Sequence, residues 1–191
     1  DTAAPEKVSD HYEGKGGVVT TIDSEIQLLA EQSAARYFEK GAVVVLDVHT
    51  GEIRAMASLP AYDPNHVAES LADEDSPMIN RALWPYSVGS TFKVLVAATA
   101  IEQGYAAHTH DCPGYIQIGD TIFRCHNLAG HGLLNMTQAL EKSCNPYFVS
   151  LIMKTGGESV AYKASVIGFG SSLELADGIT ASAGRLPTYE E

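Results

Sequence analysis

Ser90 and Lys93 stand three residues apart in Tyr86-Ser87-Val88-Gly89-Ser90-Thr91-Phe92-Lys93, and residues at that spacing share one face of a helix. An amine kept neutral in apolar surroundings takes the proton of a neighbouring hydroxyl and turns its oxygen into a nucleophile. A helix start at Ser90 favours the negative charge that then develops. The plainer alternative is an N-capping serine beside a solvated lysine, and short Ser-x-x-Lys matches are common by chance. Against it, the residues that follow (Val94 to Ile101) are almost wholly apolar, and a lysine in the first turn of a core helix calls for a reason. Ser143-Cys144-Asn145 is a second such group, in the break between two helical stretches. Asn145 is suited to cap the helix that Pro146 opens, and Ser143 to relay a proton while the Asn145 amide holds a substrate amide. Cys112, Cys125, His131 and Cys144, with 12, 5 and 12 residues between them, form a third set. That spacing is unlike the compact ligand pairs of zinc fingers, and by itself it reads as buried or paired thiols. Three cysteines are an odd number, so disulfide pairing leaves one over.

The elements that must position these residues follow from periodicity and punctuation. Residues 1–17 are polar, end in glycines and read as a lead-in or linker; residues 18–191 carry the folded part. Val18–Ile22 is β-branched and strand-like, and Asp23 or Ser24 caps a helix to about Glu39, with Gly41 as its stop. Two apolar runs, Ala42–Val48 and Ile53–Ser58, flank His49-Thr50-Gly51-Glu52 and predict a hairpin with a glycine at the turn. Ser90–Gln103 reads as a helix apolar on all sides and therefore buried. Cys112–Cys125 reads as a small hairpin turning at Gly119-Asp120. Helices are expected from Asn135 or Thr137 to Lys142, from Pro146 to Lys154, and over about Glu158–Ile167. Few strands and several helices imply an α+β layer structure with an unfinished sheet.

Composition narrows the function classes. Twelve basic against 24 acidic residues leave a net charge of −12, which excludes the basic footprint of nucleic-acid binding and disfavours adsorption to anionic lipid. With 45% hydrophobic and 19% charged residues the chain is an ordinary globular one. Its apolar runs are far shorter than the roughly 20 residues that span a bilayer, and the first residues have no signal-peptide pattern, so if the protein is exported or anchored the responsible segment is expected outside these 191 residues.

Together Ser90-Thr91-Phe92-Lys93 and Ser143-Cys144-Asn145 resemble the first two motifs of the active-site serine penicillin-recognising enzymes. The resemblance extends through Thr20-Thr21-Ile22-Asp23, Gly41-Ala42-Val43-Val44-Val45-Leu46-Asp47, Thr50-Gly51-Glu52-Ile53, Tyr62-Asp63-Pro64-Asn65, Asn80-Arg81-Ala82 and Gly168-Phe169-Gly170. In that order they are similar to a class B penicillin-binding protein transpeptidase domain, of the elongation and sporulation branch. Lys154-Thr155-Gly156 imitates the third motif, but it ends a helix only nine residues after Asn145, so the chain is expected to stop before the true Lys-Thr-Gly strand.

The resemblance implies an N-terminal part of the transpeptidase fold, an antiparallel sheet with an all-helical lobe. It implies acyl transfer from a peptidoglycan stem peptide to Ser90, with Lys93 as general base, Ser143 passing the proton to the departing D-alanine, and Asn145 holding the substrate. β-Lactams would acylate Ser90 in its place. Without the Lys-Thr-Gly strand the 191 residues alone are expected to be inactive. The implied location is the extracytoplasmic face of the bacterial cytoplasmic membrane, with a membrane glycosyltransferase as partner. No organic cofactor is implied. Some members of this branch carry zinc beside the active site, at positions matching Cys125, His131 and Cys144. Cys112 is the implied fourth ligand, with His110 and Asp111 as substitutes. A structural zinc uses all three cysteines; a disulfide, Cys125–Cys144 or Cys112–Cys125, strands one. The rival readings are a β-lactamase or β-lactam sensor of the same fold, and a non-catalytic scaffold.

Overall fold

The computed structural model describes residues 18–187, so the lead-in read over residues 1–17 lies outside it. Two compact units adjoin in sequence at Trp84 and Pro85.

The first unit is a helix against a hairpin. Helix α1 (Ser24–Tyr37) starts where the Asp23 carboxylate accepts the Glu25 and Ile26 N–H groups at 2.9 and 3.0 Å, satisfying two donors that the helix itself cannot. It stops at Tyr37 rather than Glu39, with Phe38 already extended, and Gly41 opens β1 instead of ending the helix. Strands β1 (Gly41–Leu46) and β2 (Ile53–Leu59) pair antiparallel, with Val44 opposite Met56. Their turn is held by the Asp47 carboxylate, which accepts from the His49 and Thr50 N–H groups, and Gly51 takes the positive φ of +76° foreseen there. Ala30, Ala55 and Ala57 form the small core, flanked by Ile26, Val43 and Val45. The strand predicted at Val18–Ile22 does not form. That segment closes the outer edge of β2 with single bonds: the Thr21 hydroxyl donates to the Ile53 carbonyl (2.6 Å) and the Asp23 N–H to the Arg54 carbonyl (2.9 Å). The Gln27 amide then pairs with both the N–H (2.8 Å) and the carbonyl (3.0 Å) of Met56. A short helix, α2 (Val67–Ser70), follows.

In the second unit a 3₁₀ turn, Gly89–Thr91, leads into α3 (Phe92–Glu102). The expectation of a helix buried on all sides is only partly met. Leu95, Val96, Ala97 and Ala100 are in the core, but Val94 and Ile101 are 65% and 54% exposed. The hairpin predicted over Cys112–Cys125 forms, turning at Gly119-Asp120, and a second ladder that was not predicted lies around it. Strand β3 (Thr109–Cys112) pairs with β6 (Gly132–Asn135), and β4 (Tyr115–Ile118) with β5 (Thr121–Arg124) around Gly119. Cys112 therefore ends a different ladder from the one that Cys125 follows.

Asn135 caps α4 (Met136–Glu141) in a capping box with Gln138. Helix α5 (Asn145–Thr155) carries Lys154 and Thr155 in its last turn and ends at Gly156 with φ +83°, so Lys154-Thr155-Gly156 is a helix terminus, as its spacing indicated. Helix α6 (Gly157–Val166) and a ladder of β7 (Leu173–Ala176) with β8 (Ile179–Ala181), unforeseen in the sequence, complete the unit. Its core joins α3, α4, α5 and α6 through Val96, Met136, Ala139, Tyr147, Phe148, Leu151 and Val160, with all three cysteines among them. No helix among the described residues is long and apolar enough to cross a membrane.

Candidate active site and adjoining thiol cluster

Ser90 lies in the 3₁₀ turn that opens α3, and Lys93 in the first turn of that helix. Lys93 Nζ is 3.1 Å from Ser90 Oγ, the one-turn geometry that their spacing required. The same amine meets the Ser143 carbonyl (2.9 Å), Ser143 Oγ (2.9 Å) and Asn145 Oδ1 (2.7 Å). Ser143 Oγ donates to Ser90 Oγ at 2.9 Å, so Ser90 touches two groups able to receive or relay its proton. The structure thus brings all four predicted residues into one network. Burial pulls the Lys93 pKa below the ordinary lysine range, and the nearby Cys144 and Cys125 thiols pull the other way. A lowered value enlarges the fraction of neutral amine, the form that can act as a base.

Ser143 reaches this network from a strained position. Helix α4 ends in a Schellman motif: the Ser143 N–H donates to the Leu140 carbonyl (3.0 Å) and the Cys144 N–H to the Ala139 carbonyl (2.9 Å). Ser143 occupies the left-handed position of that motif, φ +47°, where glycine is usual. The break between the two helices is therefore a tight turn, in which Cys144 is fully buried while Ser143 and Asn145 meet Lys93.

Asn145 is not the helix cap that its sequence position indicated. Cys144 takes that place, and Asn145 and Pro146 are the first two helical residues. The Asn145 side chain is engaged elsewhere: its oxygen accepts from Lys93 and its Nδ2 donates to the Arg124 carbonyl at 3.0 Å. These two bonds fix which end of the amide faces which neighbour. The Arg124 contact is a functional feature that sequence reasoning missed, because a backbone carbonyl leaves no residue signature. A cavity of about 250 Å³ adjoins these groups, lined by Lys93, Phe92, Phe123, Arg124, Asn145 and Phe148 among others.

Behind the network, the sulfurs of Cys112, Cys125 and Cys144 and a ring nitrogen of His131 all lie within 4.8 Å of one another. The three cysteines are free thiols, and His131 Nδ1 is 3.5 Å from Cys125 Sγ. A tetrahedral zinc with bonds near 2.3 Å needs ligand atoms about 3.8 Å apart, so this donor set fits the metal with little movement. The fit extends to the backbone. Burial alone would raise the Cys112 thiol, but the Gly114 and His131 N–H groups donate to it and, with the neighbouring thiols, hold it below its ordinary value. Burial pushes the Cys144 thiol up to about 12, against the Tyr147 N–H that donates to it. His110 and Asp111 are not needed as substitutes, since Cys112 itself joins the cluster. Gly114 and Gly130 permit this packing: a Cβ on Gly130, at φ +83°, would lie 2.2 Å from the Cys112 carbonyl oxygen.

Residues 41–188 match the penicillin binding protein transpeptidase domain family. The chain is 34% identical over 185 residues to the peptidoglycan D,D-transpeptidase MrdA of Acinetobacter baumannii, covering 89% of this chain and 27% of that protein. It is 31% identical over 179 residues to stage V sporulation protein D of Bacillus subtilis, covering 87% and 27%. Among solved structures, the imipenem acyl-enzyme complex of penicillin-binding protein A from M. tuberculosis superposes with a TM-score of 0.73 at 30% identity, covering 87% of this chain and 44% of that one. The chain thus spans about a quarter of these curated relatives' length. With the Ser90–Lys93 and Ser143–Asn145 motifs in one hydrogen-bonded network, the match over residues 41–188 and these relatives, the chain belongs to the penicillin-binding protein transpeptidases, on the class B side.

Proposed function

We propose that the protein containing this chain is a peptidoglycan D,D-transpeptidase that works through an acyl-enzyme on Ser90. The observation that carries this is the contact of Ser90 Oγ with both Lys93 Nζ (3.1 Å) and Ser143 Oγ (2.9 Å). Neutral Lys93 takes the Ser90 proton, directly or through Ser143. Ser90 Oγ bonds to the carbonyl carbon between the last two D-alanines of a stem peptide. The C–N bond then breaks, and Ser143 hands the proton held by Lys93 on to the departing D-alanine amine, leaving Lys93 neutral. The amine of a second stem peptide attacks the ester and gives a proton to Lys93; its new C–N bond forms the cross-link, the Ser90 Oγ–carbonyl bond breaks, and that proton returns to Ser90 Oγ. Asn145 Nδ2, with one hydrogen on the Arg124 carbonyl, keeps its other for the substrate amide carbonyl. β-Lactams present the same carbonyl and stop at the ester. The described residues supply the nucleophile and the base, and the one Lys-Thr-Gly among them ends α5.

Cys112, Cys125, His131 and Cys144 would hold a zinc ion, which would be structural because four protein ligands leave no open position for water. Through Cys144 the site tethers Ser143 and Asn145, and through Cys125 it tethers Arg124. Protein purified without added metal should carry about one equivalent of zinc, and chelation should lower its melting temperature. Release of fewer than two cysteines' worth of thiol reactivity when the metal is chelated would count against the site. The protein would act at the extracytoplasmic face of the cytoplasmic membrane beside a membrane glycosyltransferase. The test of activity is mass spectrometry of full-length gene product incubated with stem-peptide substrate. Cross-linked dimer and free D-alanine in equal amounts are expected; D-alanine release without any transfer to an added amine would overturn transpeptidation in favour of hydrolysis.

A further inference from the structure

The geometry points to His126 as the exchange ligand of the thiol cluster, the group through which a zinc ion enters and leaves it; the inference rests on the zinc reading above. Access to the cluster is restricted. Cys112, Cys125 and Cys144 are 1%, 2% and 0% exposed. His131 is the one member of the set that is not fully buried. A zinc ion in water carries water ligands, and a site of four protein ligands holds it only after all of them have been replaced. Replacement one ligand at a time needs a first donor that stands outside the buried set and within reach of it.

His126 stands there. It is exposed, and its Nδ1 is 3.9 Å from Cys125 Sγ, the same sulfur that His131 Nδ1 approaches at 3.5 Å. A nitrogen and a sulfur bound to one tetrahedral zinc, at about 2.0 and 2.3 Å from it, lie about 3.6 Å apart. An ion shared by His126 and Cys125 therefore fits with little movement, and His131 is its next ligand. The two rings lie side by side, with centroids 5.3 Å apart and planes at 56°. The loop between them is closed on itself. Asn127 Nδ2 donates to the Gly130 carbonyl (2.7 Å), the Ala129 N–H to Asn127 Oδ1 (3.2 Å), and the Gly130 N–H to the Asn127 carbonyl (3.1 Å). His126 is not one of the four donors that lie within 4.8 Å of one another, so it gives up the ion as Cys112 and Cys144 take hold. Each step replaces one ligand by another; the waters leave to solvent, and so do the thiol protons as the thiolates bind.

The test uses the zinc-loaded full-length gene product as wild type and as His126→Ala. Transfer of zinc to a chromogenic chelator is followed by stopped-flow absorbance, and exchange of bound zinc for an isotopically labelled ion by mass spectrometry. Both rates should fall about tenfold in His126→Ala. Entry and exit share one path, so the equilibrium affinity, read by competition with the chelator, should not change. Added imidazole should restore part of the rate. The visible spectrum of the cobalt(II)-substituted proteins should be the same, because their resident ligands are the same. Unchanged rates in His126→Ala overturn the inference. So does faster release with weaker affinity or an altered cobalt spectrum, since either makes His126 a resident ligand. Wild-type protein that binds neither metal refutes the zinc reading itself, whereas bound metal with unchanged exchange refutes only the role of His126.

Discussion

Replacing Ser143 by glycine should leave a more stable protein than replacing it by alanine, the reverse of the usual order. At most positions glycine is the worse choice by about 0.4–1 kcal/mol, because it leaves the unfolded chain more freedom. Ser143, however, sits at φ +47°, in the left-handed slot of the Schellman turn that ends α4, where an L-residue costs about 1–2 kcal/mol. Both substitutions remove the hydroxyl and its bonds to Lys93 and Ser90, so those losses cancel in the comparison. What remains is roughly 0.5–1 kcal/mol in favour of glycine, or about 1–4 °C in melting temperature for a chain of this size. Urea unfolding of the two variants side by side reads the difference as a shift in midpoint at equal slope. Both variants should lose most β-lactam acylation. Alanine equal to or more stable than glycine would refute the claim that Ser143 is held under backbone strain for the sake of its hydroxyl.

Other expectations concern the base and the thiol cluster. Acylation should rise with pH through the folded pKa of Lys93, which burial places below the ordinary lysine value, so the rate should level off before the region where a free lysine titrates. Lys93→Arg should be as inactive as Lys93→Ala despite keeping the charge, since a guanidinium does not give up its proton; stopped-flow acylation with a chromogenic β-lactam measures both. Gly130→Ala should destabilise the protein by about 2 kcal/mol or more, combining the left-handed φ with a contact 2.2 Å from the Cys112 carbonyl oxygen, and should weaken metal retention. Thermal melting with and without a chelator measures both effects.

Much of the site was legible because chemistry and secondary structure coincide there. Ser90 and Lys93 share a helix face by spacing alone, Asn135 and Gln138 announce their capping box, and Gly156 marks Lys154-Thr155-Gly156 as a helix end. The parts that escaped are settled by partners distant in sequence. Strand β3 is four residues, three of them charged or titratable, and acquires its conformation only by pairing with Gly132–Asn135. Val18–Ile22 has a strand's composition, yet the Thr21 hydroxyl and Asp23 N–H reach β2 one bond at a time. Asn145 looks like a cap until Lys93 and the Arg124 carbonyl, 52 and 21 residues away, claim its side chain. The cysteine and histidine spacings carried no compact pattern, because β3, β5, β6 and the α4–α5 turn each bring one part of the cluster from a different element.

The most direct measurement is peptide mapping by mass spectrometry of the full-length gene product after reaction with benzylpenicillin. A single penicilloyl adduct on Ser90, absent from Ser90→Ala and from Lys93→Ala, is the predicted result. An adduct on any other residue, or one that persists undiminished in Ser90→Ala, would contradict the account.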